Sequence, residues 1–456
     1  MNDFTKGNIT KQLFIFAGPM LIGNLFQQLY SLVDAIIVGR FVSGDALAAV
    51  GVSMNITTFV TSLLIGLTTG SAVVISQYYG ARQFDKLIAS VSVSIVAMLG
   101  LSVLLTGFGV LMAPQILRML DTDKLIFDDA LLYLRIIMAG MVCPVFYNMY
   151  ISYLRALGDS KRPLFILIFT VLLNAAMDYY FVVTLDMKIM GAAIATVISQ
   201  LVAVGMCILY THRFVPLLRV EKLLFDMELF KLILKYGIPA AIQNSLVTMA
   251  NLVITKLINS FGPSAMAAIT AVARIDALAT MPVSTLSMAL STFVAQNMGA
   301  GIEERAKKGL RTGMAFMIIC AVCMSALLIV FAPAIIDLFL DRGDANYKDI
   351  MDIGHEYLNT MVIFYFLFAF LFSYNGFFRG VGDAVIAMVF PVASLIIRTI
   401  SAHIFVGAIG MGPEALAWSI PLGWLISGIA SVIYFKKRLW VGKMAIGGIG
   451  TLGIEG

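Results

Sequence analysis

Two carboxylates stand where a chain rarely puts them. Asp34 lies in the apolar stretch QQLYSLVDAIIVG (Gln27–Gly39), flanked by Val33 and Ala35, and Asp178 lies in FTVLLNAAMDYYF (Phe169–Phe181). An acid at a bilayer centre costs about 2.5–3.5 kcal/mol on insertion scales, and less towards the interface. Neither acid is isolated. Asn24, Gln27, Ser31 and Asp34 are spaced by 3, 4 and 3 residues, and Thr170, Asn174 and Asp178 by four. Helical periodicity puts each set on one face. In GAAIATVISQ (Gly191–Gln200), Thr196 and Gln200 form a third such pair. Carboxylate, amide and hydroxyl oxygens are the hard ligands of a small alkali cation. Two acids sharing one low-dielectric pocket also favour a proton and titrate as a coupled pair. The residue types therefore suit H+ or Na+ alike and do not rank them.

The elements that position these groups are membrane helices. Of 456 residues, 60% are hydrophobic and 12% charged, about half the charged share of a soluble chain. Mean hydropathy is +0.95. The apolar residues come in long runs, as a bilayer-crossing helix of about 20 residues requires. Hydropathy breaks predict twelve spans, near residues 11–38, 46–78, 85–113, 126–154, 163–184, 190–211, 229–258, 265–297, 306–333, 350–377, 384–407 and 413–435. Of the 31 Lys and Arg residues, 21 fall on one set of span ends and six on the other, with Arg135, Lys256, Arg274 and Arg398 inside spans. The positive-inside rule then places both termini in the cytoplasm of a multi-pass protein of the cell (inner or plasma) membrane. The net charge of +5 reflects that inner face, and no nucleic-acid partner is implied.

Other chemistries lack their residues. The first ten residues have no signal-peptide pattern, so the first apolar segment is expected to be retained. Cys320 and Cys323 form a CxxC within a span, where small-residue packing is the plainer reading. No HExxH or GxSxG occurs. The GIGTLG at Gly448–Gly453 follows no strand, so it is not read as a dinucleotide site. An enzyme is not expected, and no cofactor beyond the coupling ion.

The chain is duplicated internally. AGPMLIGN (Ala17–Asn24) answers GIPAAIQN (Gly237–Asn244), SQYYGARQFD (Ser76–Asp85) answers AQNMGAGIEE (Ala295–Glu304), and YISYLRALGD (Tyr150–Asp159) answers YNGFFRGVGD (Tyr374–Asp383). The order is kept at an offset near 220 residues. Six helices per repeat return the chain to its starting side, so the repeats are parallel. The expectation is an all-α polytopic membrane protein with twelve transmembrane helices in two six-helix bundles, related by a pseudo-two-fold axis along the membrane normal. Residues 1–220 form the N-terminal lobe, 221–440 the C-terminal lobe and 441–456 a cytoplasmic tail. Gly158 and Gly382 are read as helix stops, with Asp159 and Asp383 capping the helices that follow. Pro19 and Pro239 open corresponding helices, where a bend can serve alternating access.

These stretches, with GPMLIGNLFQQLYSLVDAIIVGRFVSGDALAAVG (Gly18–Gly51), RALGDSKRP (Arg155–Pro163) and MPVSTLSMALSTFVAQNMGAG (Met281–Gly301), resemble the multidrug and toxic compound extrusion family, MATE. The resemblance spans nearly the whole chain. It implies a two-lobed exporter of organic compounds driven by inward H+ or Na+ flow. It also implies a coupling-ion site in the N-terminal lobe at Asp34, Asn174, Asp178 and Thr196, the metal ligands if the ion is Na+. Tyr133, on the fourth span, is carried over with them, against the plainer reading of a packed aromatic.

The C-terminal lobe differs. Its first helix carries the neutral stripe Asn244, Thr248, Asn251, Thr255 and Asn259, with Lys256 beside it. Some MATE relatives carry acids on helices 7 and 10, and this chain has none there in mid-span. Arg398 occupies the repeat position of Asn174; Arg398 and Lys256 are read as cavity cations or as counterions of Asp276. The candidate substrate cavity thus takes Asn24, Gln27, Ser31, Tyr133 and Gln200 from one lobe and Asn244, Asn251, Lys256 and Arg398 from the other. The 27 Met and 31 Phe residues supply adaptable apolar surface, though most pack against lipid or core. An acidic lobe favours lipophilic cations, whereas Lys256 and Arg398 would suit anions or zwitterions. A monomer in the lipid bilayer exporting a small organic substrate is the leading expectation. A flippase for lipid-linked substrates, which shares the two-bundle plan, is the alternative.

Overall fold

In lipid every backbone polar group must find its partner inside the segment or the bundle, and a long apolar run does so as a helix. A computed structural model describes residues 2–220, 222–337, 346–444 and 446; the side chains of Ser31, Leu32, Asp34 and Ala35, and residues 447–456 with the GIGTLG stretch, lie outside the described set. In chain order the helices are α1 (Ile9–Phe41), α2 (Gly44–Gly80), α3 (Phe84–Met119), α4 (Lys124–Ala139), α5 (Val142–Ala156), α6 (Lys161–Asp178) and α7 (Lys188–Phe214). They continue as α8 (Met227–Asn259), α9 (Pro263–Gly299), α10 (Glu303–Asp337), α11 (Tyr347–Val362), α12 (Tyr365–Val381), α13 (Ala384–Gly407) and α14 (Glu414–Lys436). No strand occurs among the described residues. The fold is all-α and polytopic: ten helices each long and apolar enough to span, and two bent pairs that bring the number to twelve.

The bends correct the sequence reading of residues 126–154 and 350–377 as single helices. α4 meets α5, and α11 meets α12, each at 48°. At the first break Gly140 faces α7 so closely that a Cβ there would stand 2.6 Å from Val197 Cγ2. Pro144, on the first turn of α5, has no N–H to carry the ladder across. Neither proline nor glycine stands at the second break, Ile363–Phe364. A third irregularity follows Asp178, where α6 passes into a π-helix, Tyr179–Thr184. Such segments are often found at functional sites.

The two R-x-x-G-D turns share one construction. Gly158 (φ +80°) and Gly382 (φ +97°) adopt the left-handed conformation that stops a helix. Asp159 Oδ1 accepts the backbone N–H groups of Lys161 and Arg162 at 3.2 Å each, capping α6 as expected. Asp383 makes no such cap; its Oδ2 accepts the Tyr434 hydroxyl at 2.6 Å, as Asp159 Oδ2 accepts that of Tyr210 at 3.3 Å. Gly158→Ala is expected to lower the unfolding temperature in detergent. A left-handed alanine costs about 1–2 kcal/mol, and its Cβ would meet the Asn2 carbonyl oxygen at 2.2 Å. An unchanged melting curve would contradict this account of the turn.

The contacts divide the chain into two compact units, Met1–Asp3 with Gly18–Ala241, and Phe4–Ala17 with Ile242–Gly456. Both α1 and α8 are thus shared between units along their length. In the first unit, α2 and the start of α8 touch backbone to backbone, since a Cβ on Gly66 or Gly70 would lie 2.3 Å from Ala241 or Gly237. This is the small-residue packing by which membrane helices approach closely. In the second unit the buried Phe4 packs on Phe16 and Phe293. Its N–H donates to Gln296 Oε1 at 3.1 Å, and its carbonyl accepts Asn297 Nδ2 at 3.1 Å and Arg305 Nε at 2.9 Å. The AQNMGAG motif therefore serves to hold the N-terminal segment.

Candidate functional site

In the first unit the i, i+4 ridge of α6 points inwards. Thr170, Asn174 and Asp178 are 7%, 1% and 0% exposed. The Asn174 amide, turned to satisfy both neighbours, donates from Nδ2 to Asp178 Oδ2 at 2.7 Å and accepts the Thr196 backbone N–H on Oδ1 at 3.3 Å. One amide thus ties the carboxylate of α6 to the backbone of α7. The Thr196 hydroxyl oxygen is buried without a hydrogen-bond partner among the described residues. A carboxylate, an amide and a hydroxyl close together in a dry bundle form an oxygen-rich locus for a small hard cation or a proton.

A cavity of about 300 Å³ opens beside this locus, lined by Gln27, Tyr30, Tyr133, Asn174, Thr196 and Gln200 among others. The bent α4–α5 pair supplies Tyr133 and Gly140 to its wall. Asn24 lies half-buried on α1. The side chains of Ser31 and Asp34 are outside the described residues. No group of three or more His, Cys, Asp or Glu side chains capable of holding a metal occurs among the described residues. Any alkali cation here would rely on mixed oxygen ligands.

The second unit holds its own cavity, about 530 Å³, with Asn251, Asp276 and Arg398 on its lining. Lys256 is exposed and sits in a separate depression with Ser260 and His403; the structure does not bring it to Arg398 or Asp276. Asn244 is half-buried on α8, outside the cavity lining. Sequence reasoning passed over Tyr357 and Tyr365, which flank the α11–α12 bend. The Tyr365 hydroxyl donates to Asp276 Oδ1 at 2.8 Å, and Tyr357 lines the cavity. In an apolar aromatic run their hydroxyls give no periodic signal. Gln243 was also missed; its Oε1 accepts Arg379 Nη2 at 3.5 Å.

Comparison with known proteins comes to the same architecture. The family model described as MatE matches residues 19–180 and 239–404, once in each repeat. The chain is 30% identical over 443 residues to the probable multidrug resistance protein YpnP of Bacillus subtilis, covering 96% of this chain and 97% of that one. It is likewise 30% identical over 373 residues to the probable multidrug resistance protein YoeA of the same organism, covering 80% of each. Among solved structures, the outward-facing conformation of a multidrug resistance MATE family transporter matches with a TM-score of 0.88 at 23% identity, over 96% of this chain and 97% of that one. The structural match speaks for the fold.

Proposed function

This chain belongs to the MatE family of membrane transporters, and from that premise we propose that it exports lipophilic, cationic organic compounds in exchange for H+ or Na+. The family makes it a multi-pass transporter rather than an enzyme. The coupling ion would bind at Asp34, Asn174, Asp178 and Thr196 in the N-terminal lobe, residues 1–220. Substrate would be met by Asn24, Gln27, Ser31, Tyr133 and Gln200 there, and by polar groups of the C-terminal lobe, residues 221–440. Alternating access follows if loading the acid pocket favours the outward-open state and emptying it favours the inward-open one, since a ligand shifts an equilibrium only through its differential affinity. The monomer would sit in the plasma membrane with both termini cytoplasmic.

The observation that carries this reading is the Asn174 bridge between Asp178 and Thr196. It sets oxygen-bearing residues of two helices side by side, the types a small cation or a proton would need. A lipid flippase is not favoured: the two relatives at 30% identity carry multidrug resistance names. Inverted vesicles with ΔpH and ΔNa+ imposed separately test the proposal. One gradient or both is expected to drive dye uptake severalfold above an ungradiented control. Uptake indifferent to both gradients would overturn the coupling.

A further inference from the structure

The second unit's cavity holds a guanidinium that no carboxylate among the described residues meets at ion-pair distance. Arg398, on α13, has its Nε buried without a hydrogen-bond partner among the described residues. Its polar neighbour is the Tyr357 hydroxyl. Asp276, on the same cavity, accepts the Tyr365 hydroxyl and senses the Arg398 charge without a direct ion pair. A guanidinium kept inside a membrane bundle without a direct ion pair is expensive, and a ligand anion would relieve that cost. Its planar fork fits a carboxylate in a bidentate way.

The repeat sharpens the contrast. Fifteen residues separate Asp159 from Asn174, and fifteen separate Asp383 from Arg398. The duplicated fold therefore brings both residues to the cavity of their own unit. In the first unit the residue four further on is Asp178, which receives the Asn174 amide. In the second it is Ala402, buried and chemically silent. The same register thus offers an acid four residues on in one unit and an alanine in the other, beside a guanidinium. Beside Arg398 the wall is aromatic: Phe368 lies 5.3 Å from Trp424 and 4.1 Å from Phe372, ring centre to ring centre. A volume of about 530 Å³ is ample for a drug-sized molecule.

We propose that this cavity is a ligand site for aromatic organic acids, with Arg398 anchoring the acidic group and Phe368 and Trp424 receiving the ring. The site rests on the exporter reading only in that its ligand would be a transported substrate, a second class beside the lipophilic cations proposed above; binding itself stands apart from ion coupling.

Two fluorophores test it on the purified full-length protein, 6-(dansylamino)hexanoate and dansylcadaverine, which share ring and chain and differ in the charged end. Energy transfer from the protein's tryptophans reports binding with no ion gradient present. The acid is expected to bind about tenfold or more tightly than the amine. Arg398→Gln is expected to weaken the acid about 10- to 100-fold, the range for losing a charged hydrogen bond, and to change the amine by less than about threefold. Equal affinity of the two ligands for the unmodified protein, or an Arg398→Gln affinity for the acid within about twofold of the original, overturns the proposal. If Arg398→Gln does not elute as a single folded species, the ligand pair on the unmodified protein decides alone. Gradient-independent dye uptake with intact acid selectivity would defeat the coupling proposal and leave this one standing.

Discussion

Asp178→Asn is expected to abolish gradient-driven efflux while leaving the protein folded. The side chain is fully buried, so its charge answers to the pocket rather than to bulk water. Asparagine keeps an oxygen that can accept the Asn174 amide, now at 2.7 Å from Asp178 Oδ2, and the α6–α7 tie survives. What it removes is the formal charge proposed to hold H+ or Na+. Loss of one charged contact is worth about 1.5–3 kcal/mol, so ion affinity should fall about tenfold or more. Dye uptake into inverted vesicles would then drop to the ungradiented level. Asp34→Asn is expected to behave alike, as the second acid of the proposed site. Uptake within about twofold of the unmodified rate in both variants, at matched amounts of folded protein, would remove the N-terminal site as the coupling centre.

Gly70→Leu is expected to have the largest effect on folding. A Cβ at Gly70 would lie 2.3 Å from the Gly237 nitrogen and 2.5 Å from its Cα, and one at Gly66 would crowd Ala241 as closely. The obstruction is backbone, which cannot rotate away as a side chain can. Overpacking a core usually costs about 1–3 kcal/mol, and parting two helices that meet at their backbones should reach or exceed that range. Little or no monodisperse protein is anticipated on size exclusion. Gly100→Leu is the control, since nothing stands within 4 Å of a Cβ there. If both variants purify and melt alike, the close approach of α2 and α8 is not what holds the first unit together.

The shared face of the α6 candidate residues was legible because helical periodicity is local. Thr170, Asn174 and Asp178 fall on one buried face of α6, as their spacing of four requires. The repeat-equivalent positions of Asn174 and Arg398 were also readable, because a duplicated fold preserves distance from a shared turn. The bends at Gly140 and at Ile363–Phe364 were not. Hydropathy sees an unbroken apolar run across each, and a 48° change of direction leaves the run apolar. Lys256 illustrates the opposite failure. It is one residue from Thr255 in sequence, but a helix turns 100° per residue, and the exposed ammonium sits apart from the cavity lined by Thr255 and Arg398.

Composition and neighbours within a turn or two are enough to fix the membrane class, the span count, the duplication and the inward face of α6. Helix packing alone fixes that the Asn174 amide joins Asp178 to Thr196, that the Tyr365 hydroxyl bonds Asp276, and that Arg398 shares an aromatic-walled cavity with Asp276 without a direct ion pair. Those facts depend on which helices approach one another and at what bend. A hydrogen bond between residues far apart in the chain exists only once packing has fixed both ends within about 3 Å.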